Sequence, residues 1–193
     1  MNRLYALLFS GLLAMGAGGA EAATWSASYS GADIVPATAS TASGLISLSL
    51  TGDTLTVDIA FSGLVGGGDV ASLLHCCIAP GSNVGVAMFF SGNGFPLNVT
   101  SGTYHQTFDL TQTVSFNSAY ITANGGTAAG AEAALTSGLN SGMAYATIHN
   151  ATFPGGEIRA NLTATVPEAA TWALMIASFG ALGFAKRRRL ASA

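Results

Sequence analysis

The stretch Gly44–Leu64, "GLISLSLTGDTLTVDIAFSGL", decides the fold. Ile46, Leu48 and Leu50 fall on one side of an extended chain, and Leu55, Val57, Ile59 and Phe61 on one side of the next run. Successive side chains of a strand point to opposite faces, so this spacing predicts one buried face in each run. Thr51-Gly52-Asp53-Thr54 interrupts the alternation with a glycine-containing turn. Two alternating runs joined this tightly predict an antiparallel hairpin with one face in water.

Working outward, strand-like runs recur at Trp25–Ser30, Val70–His75, Val84–Phe90, Thr103–Leu110, Met143–His149 and Glu157–Thr165. One segment departs from them. In Thr127–Gly142, "TAAGAEAALTSGLNSG", Ala131, Leu135 and Leu139 stand at helical spacing, which predicts a short helix crossing one end of the strands. Many short strands with one helix predict an all-β fold, an antiparallel Greek-key β-sandwich of immunoglobulin-like type. Residues 23–165 suffice for one core, and no linker or repeat points to a second domain.

Charge narrows the function classes. Only 8% of the chain is charged, against roughly 25% in soluble domains. Of six basic residues, Arg3 stands at the N-terminus and Lys186, Arg187, Arg188 and Arg189 in the tail, leaving Arg159 between them. That middle region also carries Asp33, Asp53, Asp58, Asp69, Asp109, Glu132 and Glu157, seven negative charges against one positive. Such a surface repels phosphate backbones, so nucleic acid is not an expected partner. The chain has no G-x-S-x-G elbow, no H-E-x-x-H, and no P-loop lysine after the glycines of Gly63–Gly68. The expectation is a non-catalytic protein.

Both ends read as processing signals. Residues 1–22 begin with one positive charge, run apolar from Leu4 to Ala17 and close on Ala20-Glu21-Ala22. This is the layout of a secretory signal peptide cut after Ala22 by the signal peptidase of the secretion machinery. Residues 169–185 form an apolar run with Trp172 near its start, at the short end for a transmembrane helix. The basic residues 186–189 follow and favour the cytoplasmic side. A permanent anchor is one reading. Val166-Pro167-Glu168 ahead of the helix gives another, because box, helix and basic end together resemble the PEP-CTERM sorting signal. The third box position here is Ala169. The resemblance, over residues 166–193, implies an exosortase-type membrane transpeptidase that cuts at the box. The protein would then be held only transiently in the inner membrane before reaching the cell surface or an exopolysaccharide matrix.

Two clusters invite chemistry. Cys76 and Cys77 are the only cysteines and are adjacent. In an oxidising compartment they can form a vicinal disulfide, which restrains little of the unfolded chain. Two free thiols on alternate faces are a second reading. A copper or zinc site using His75, Cys76, Cys77 and His149 is a third, since thiolate and imidazole suit those metals. Farther on, Tyr145, Thr147 and His149 share one strand face. Phe153-Pro154-Gly155-Gly156 turns the chain, and if the hairpin is centred near Phe153, Glu157 lies opposite His149 and Arg159 follows two residues along. His149, Glu157 and Arg159 would then form a polar cluster, either binding a ligand or pairing to position a loop. As the domain's lone cation, Arg159 is expected to have an acidic neighbour. His105, among polar residues, reads as a surface histidine.

"HCCIAPGSNVGVAMFF" (His75–Phe90) and "AYATIHNATFPGGEIRANL" (Ala144–Leu162) resemble the two signature segments of the CHRD family, and "PLNVTSGTYHQTFDLT" resembles its middle. Where many members read His-Ile-His, this chain has Leu73-Leu74-His75. The resemblance covers most of residues 23–165 and implies an extracellular module of binding or structural type. Two functions therefore stand: an exported, non-catalytic surface or matrix protein without cofactor, or a copper- or zinc-binding surface protein or small redox enzyme.

Overall fold

The computed structural model describes residues 22–65 and 69–165. The leader with Ala20, the box Val166-Pro167-Glu168, the apolar run 169–185 and the basic cluster 186–189 lie outside the described residues. Among the described residues, no helix is long and apolar enough to cross a membrane.

The strands are β1 (Ala23–Ser30), β2 (Ser43–Thr51), β3 (Thr54–Ser62), β4 (Asp69–Cys76), β5 (Val86–Phe89), β6 (Gly102–Asp109), β7 (Ala144–Asn150), β8 (Ile158–Asn161) and β9 (Thr163–Thr165). Two helices, α1 (Ser118–Ala123) and α2 (Ala128–Asn140), lie between β6 and β7. The hairpin read from Gly44–Leu64 forms as expected, with Ile46 opposite Ile59, Leu48 opposite Val57 and Leu50 opposite Leu55. Gly52, first of its two turn residues, takes φ +56°, a conformation that costs glycine little.

The expected two-sheet sandwich is replaced by one continuous antiparallel sheet. Its order is β5-β4-β7-β8-β1-β2-β3-β6, with β9 also on β1. Strands twist, and this sheet curls until its ends meet. Phe90, just past β5, lies 5.9 Å from Tyr104 and 6.1 Å from Phe108 of β6, by ring centroids. The Asn93 carbonyl accepts hydrogen bonds from Tyr104 Oη and Gln106 Nε2, each at 3.2 Å. Curling wraps one apolar face around a core containing Trp25, Leu48, Leu55, Leu74, Met88, Phe90 and Ile148. Each of these side chains is less than 2% exposed, and burial at that level contributes about 1.5–3 kcal/mol apiece.

The predicted helix is α2, and α1 is a second one. Thr127 caps α2 by accepting from Gly130 N at 3.1 Å, and Asn117 caps α1 by accepting from Ala119 N at 3.0 Å. Ala131, Leu135 and Leu139 of α2 face the core as their spacing requires. At its C-terminal end Asn140 Oδ1 accepts from Trp25 Nε1 at 3.2 Å, tying the helix to β1.

Candidate functional site

The two signature-like segments become neighbours in space. β7 lies between β4 and β8, with His75 opposite Tyr145, Leu73 opposite Thr147, and Thr147 opposite Arg159. Period-two alternation sends Ala144, Ala146 and Ile148 into the core, and turns Tyr145, Thr147 and His149 to the other side. That side is not left in water. Tyr145 and Thr147 are buried, and Arg159 is 1% exposed. The loop after β4 reaches this face through Ser82, Asn83 and Val84, while Asn83 Nδ2 donates to Val35 O at 2.7 Å.

On this face the His75 and Tyr145 rings stack with centroids 4.6 Å apart, and the Arg159 Cζ sits 3.4 Å from the Tyr145 centroid. His75 Nδ1 donates to Val84 O at 2.8 Å. Its Nε2 lies 3.1 Å from Thr147 Oγ1, which is also 2.7 Å from His149 Nε2. One hydroxyl thus stands between two imidazoles and, with a single proton, donates to one neutral Nε2 at a time. His149 Nδ1 donates to Pro154 O at 3.0 Å. Burial is the main force on His75 and holds its pKa below the usual 6.5, against the raising effect of the Val84 carbonyl.

No carboxylate among the described residues lies within ion-pair distance of Arg159. Among the described residues the sole ion pair is His105 Nδ1 with Asp58 Oδ1 at 2.6 Å, and it is exposed, as expected for a surface histidine. Arg159 instead donates from Nε to Asn161 Oδ1 at 2.8 Å, and from Nη1 to Ser82 O at 2.9 Å and Asn83 Oδ1 at 3.2 Å. The acidic neighbour expected for it is Asp33, whose charge favours the guanidinium through space without an ion pair, while three neutral acceptors and an aromatic face make the direct contacts. Desolvation lowers its pKa without removing its charge.

Glu157 leaves the predicted cluster. The ladder begins at Ile158, after Gly156 at φ +112°, so Glu157 stands outside the alternation that places Arg159. Its fully buried carboxylate accepts from Ser40 Oγ at 2.5 Å, Val65 N at 3.0 Å and Asn150 Nδ2. Its carbonyl accepts from Thr38 Oγ1 at 2.8 Å. Glu157 is therefore a clasp between the loops at residues 38–40 and 65 and the end of β7.

Cys76 and Cys77 are bonded to each other as a vicinal disulfide across a cis peptide. Both sulfurs lie against α2, on the opposite side of β4 from His75. Cys77 Sγ is 3.4 Å from Ala134 O and accepts from Tyr120 Oη at 3.5 Å. Gly138 makes the fit possible, because a Cβ there would collide with both sulfurs. In this disulfide form His75, Cys76, Cys77 and His149 do not present a common ligand set for copper or zinc. Among the described residues no group of three or more His, Cys, Asp or Glu side chains could hold a metal ion.

The structure thus brings His75, His149 and Arg159 together, and separates Glu157 and the cysteines from them. It adds Thr147 and Asn83, which had no assigned role. Thr147 was visible in sequence as the residue between Tyr145 and His149 on one face, whereas Asn83 carried no signal. These side chains line a cavity of about 170 Å³ with Ile34, Val35 and Gly155. Larger grooves, of about 730 and 550 Å³, cross β2, β3 and β6 between small side chains such as Ser43, Ala60 and Thr103.

The architecture is that of an all-β antiparallel domain whose best-furnished cavity lies over β4, β7 and β8. The CHRD domain family matches residues 25–162, and the chain belongs to that family. The match begins at Trp25 and ends at Leu162, both fully buried. Comparison with curated proteins and with solved structures yields no match.

Proposed function

We propose that this protein is an exported, non-catalytic CHRD module of the cell surface or exopolysaccharide matrix. The observation that carries the reading is the fit of domain to chain. The family match at residues 25–162 occupies the interval between a leader pattern closing at Ala22 and a sorting-like box opening at Val166. Signal peptidase and the secretion machinery would remove residues 1–22. The tail would hold the protein transiently in the inner membrane until an exosortase-type transpeptidase cut at Val166-Pro167-Glu168.

Two features support a binding or structural role over catalysis. His75, Thr147 and His149 bond to one another and to backbone carbonyls, and Glu157 is occupied in clasping loops. The vicinal disulfide also suits an oxidising compartment.

Intact-mass measurement of the protein from its native host, combined with cell fractionation, tests this. The reading expects a chain beginning at Ala23, ending near the box, recovered outside the inner membrane and lighter by two hydrogens at Cys76–Cys77. A retained basic tail in the membrane fraction would make the protein a permanently anchored one.

A further inference from the structure

Arg159 is at once the domain's lone Lys or Arg, buried, and without an ion-paired carboxylate among the described residues. A buried cation is costly unless compensated. Its Nε and Nη1 are engaged, but Nη2 is buried with no hydrogen-bond partner. A guanidinium carries five N–H donors, so two of them on one nitrogen remain unanswered; among the described residues Tyr29 Oη and Ser72 Oγ are also buried without a partner, but only Arg159 carries a charge. The cavity that Arg159 lines, about 170 Å³, has room for several waters or a small ligand group. None of its lining residues is acidic, and Asp33, outside the lining, acts on Arg159 through its charge without forming an ion pair.

We propose that this cavity is a binding site for a single carboxylate group, with Arg159 as the charged anchor. Charge and donor count set the ligand class. One cation with two unanswered N–H groups on Nη2, closed off in the present packing and met by a ligand only after a local shift, matches a monoanion, and a phosphate dianion would demand more donors and more charge. Burial disfavours a charge on His75, leaving Arg159 as the main positive centre. The cavity, about 170 Å³, holds the carboxylate end of a ligand, and the group can come from a small organic acid or from a uronate unit of an acidic polysaccharide. The site does not depend on where the protein resides or how its tail is processed.

Calorimetric titration of the purified full chain with acetate, glucuronate, glucose and inorganic phosphate tests the assignment. Acetate and glucuronate should bind and glucose should not. Tighter binding of glucuronate identifies a uronate source, and tighter binding of acetate a free small acid. Arg159→Met risks the fold, so Asn83→Asp is the sharper variant. Asn83 is on the exposed loop, and an aspartate there would answer the Arg159 charge from within, 3.2 Å from Nη1 in the present geometry. It should weaken acetate binding at least about tenfold, as expected for losing a charge-assisted contact. Unchanged binding in Asn83→Asp, equal binding of glucose, tighter binding of phosphate, or no binding of either carboxylate would each overturn the proposal.

Discussion

The β2–β3 hairpin and the β7–β8 hairpin share a period of two and little else. In β2–β3 one face is core and the other is wet: Ile46, Leu48, Leu55 and Val57 are buried, whereas Ser47, Asp58 and Ala60 are exposed. In β7–β8 both faces are covered. Ala146, Ile148, Ile158 and Ala160 enter the core, and Tyr145, Thr147 and Arg159 are buried on the other side. Alternation tells which residues share a face, but not whether a loop will close over it. A polar face that stays in water is scaffold, and the same kind of face under a loop becomes a site because its hydrogen bonds must then be met internally.

Substitutions can break or sharpen that contrast. The largest effects belong to the shared feature, the apolar faces: Ile46→Ala and Ile148→Ala should each cost about 2–5 kcal/mol in urea unfolding. Glu157→Gln tests the clasp peculiar to the second hairpin. It keeps the shape but removes a charged acceptor from Ser40 and Val65, and should cost about 1.5–3 kcal/mol by the same assay.

The covered face should also respond to pH. Because burial lowers the folded-state pKa of His75 below 6.5, the unfolded chain binds more protons just below that pH. Stability should therefore fall as pH drops through about 6.5. His75→Gln should shrink the difference between melting temperatures at pH 7.5 and pH 5.5. Smallest of all, Leu45→Ser on the open face of β2, where Leu45 is 63% exposed, should stay within about 0.5 kcal/mol.

Much of this was legible in the sequence, for reasons that also mark where legibility ends. The β2–β3 register follows from two apolar runs and a glycine turn, and α2 from Ala131, Leu135 and Leu139. Even the β7–β8 register follows from a turn centred near Phe153, which sets Thr147 opposite Arg159. The orientation of Glu157 was not legible, because it depends on where the ladder starts after Gly156. Nor was the single curled sheet, since alternating strands specify buried faces without specifying whether those faces belong to one sheet or two. α1 is only six residues long, too short for a periodic signal beyond its Asn117 cap. The partners of Arg159 were hidden because two of them, Ser82 and Asn83, come from a loop more than seventy residues away.

The most direct test of the contrast compares two small substitutions at like positions, Thr147→Val on β7 and Ser47→Val on β2, by urea unfolding at one pH. Thr147 loses the hydroxyl that stands between two imidazoles on a covered face, so its replacement should cost about 1–3 kcal/mol. Ser47, exposed on an open face, should change by no more than about 0.5 kcal/mol. Equal effects at the two positions would contradict the account, because the polar face of β7–β8 would then be no more committed than that of β2–β3.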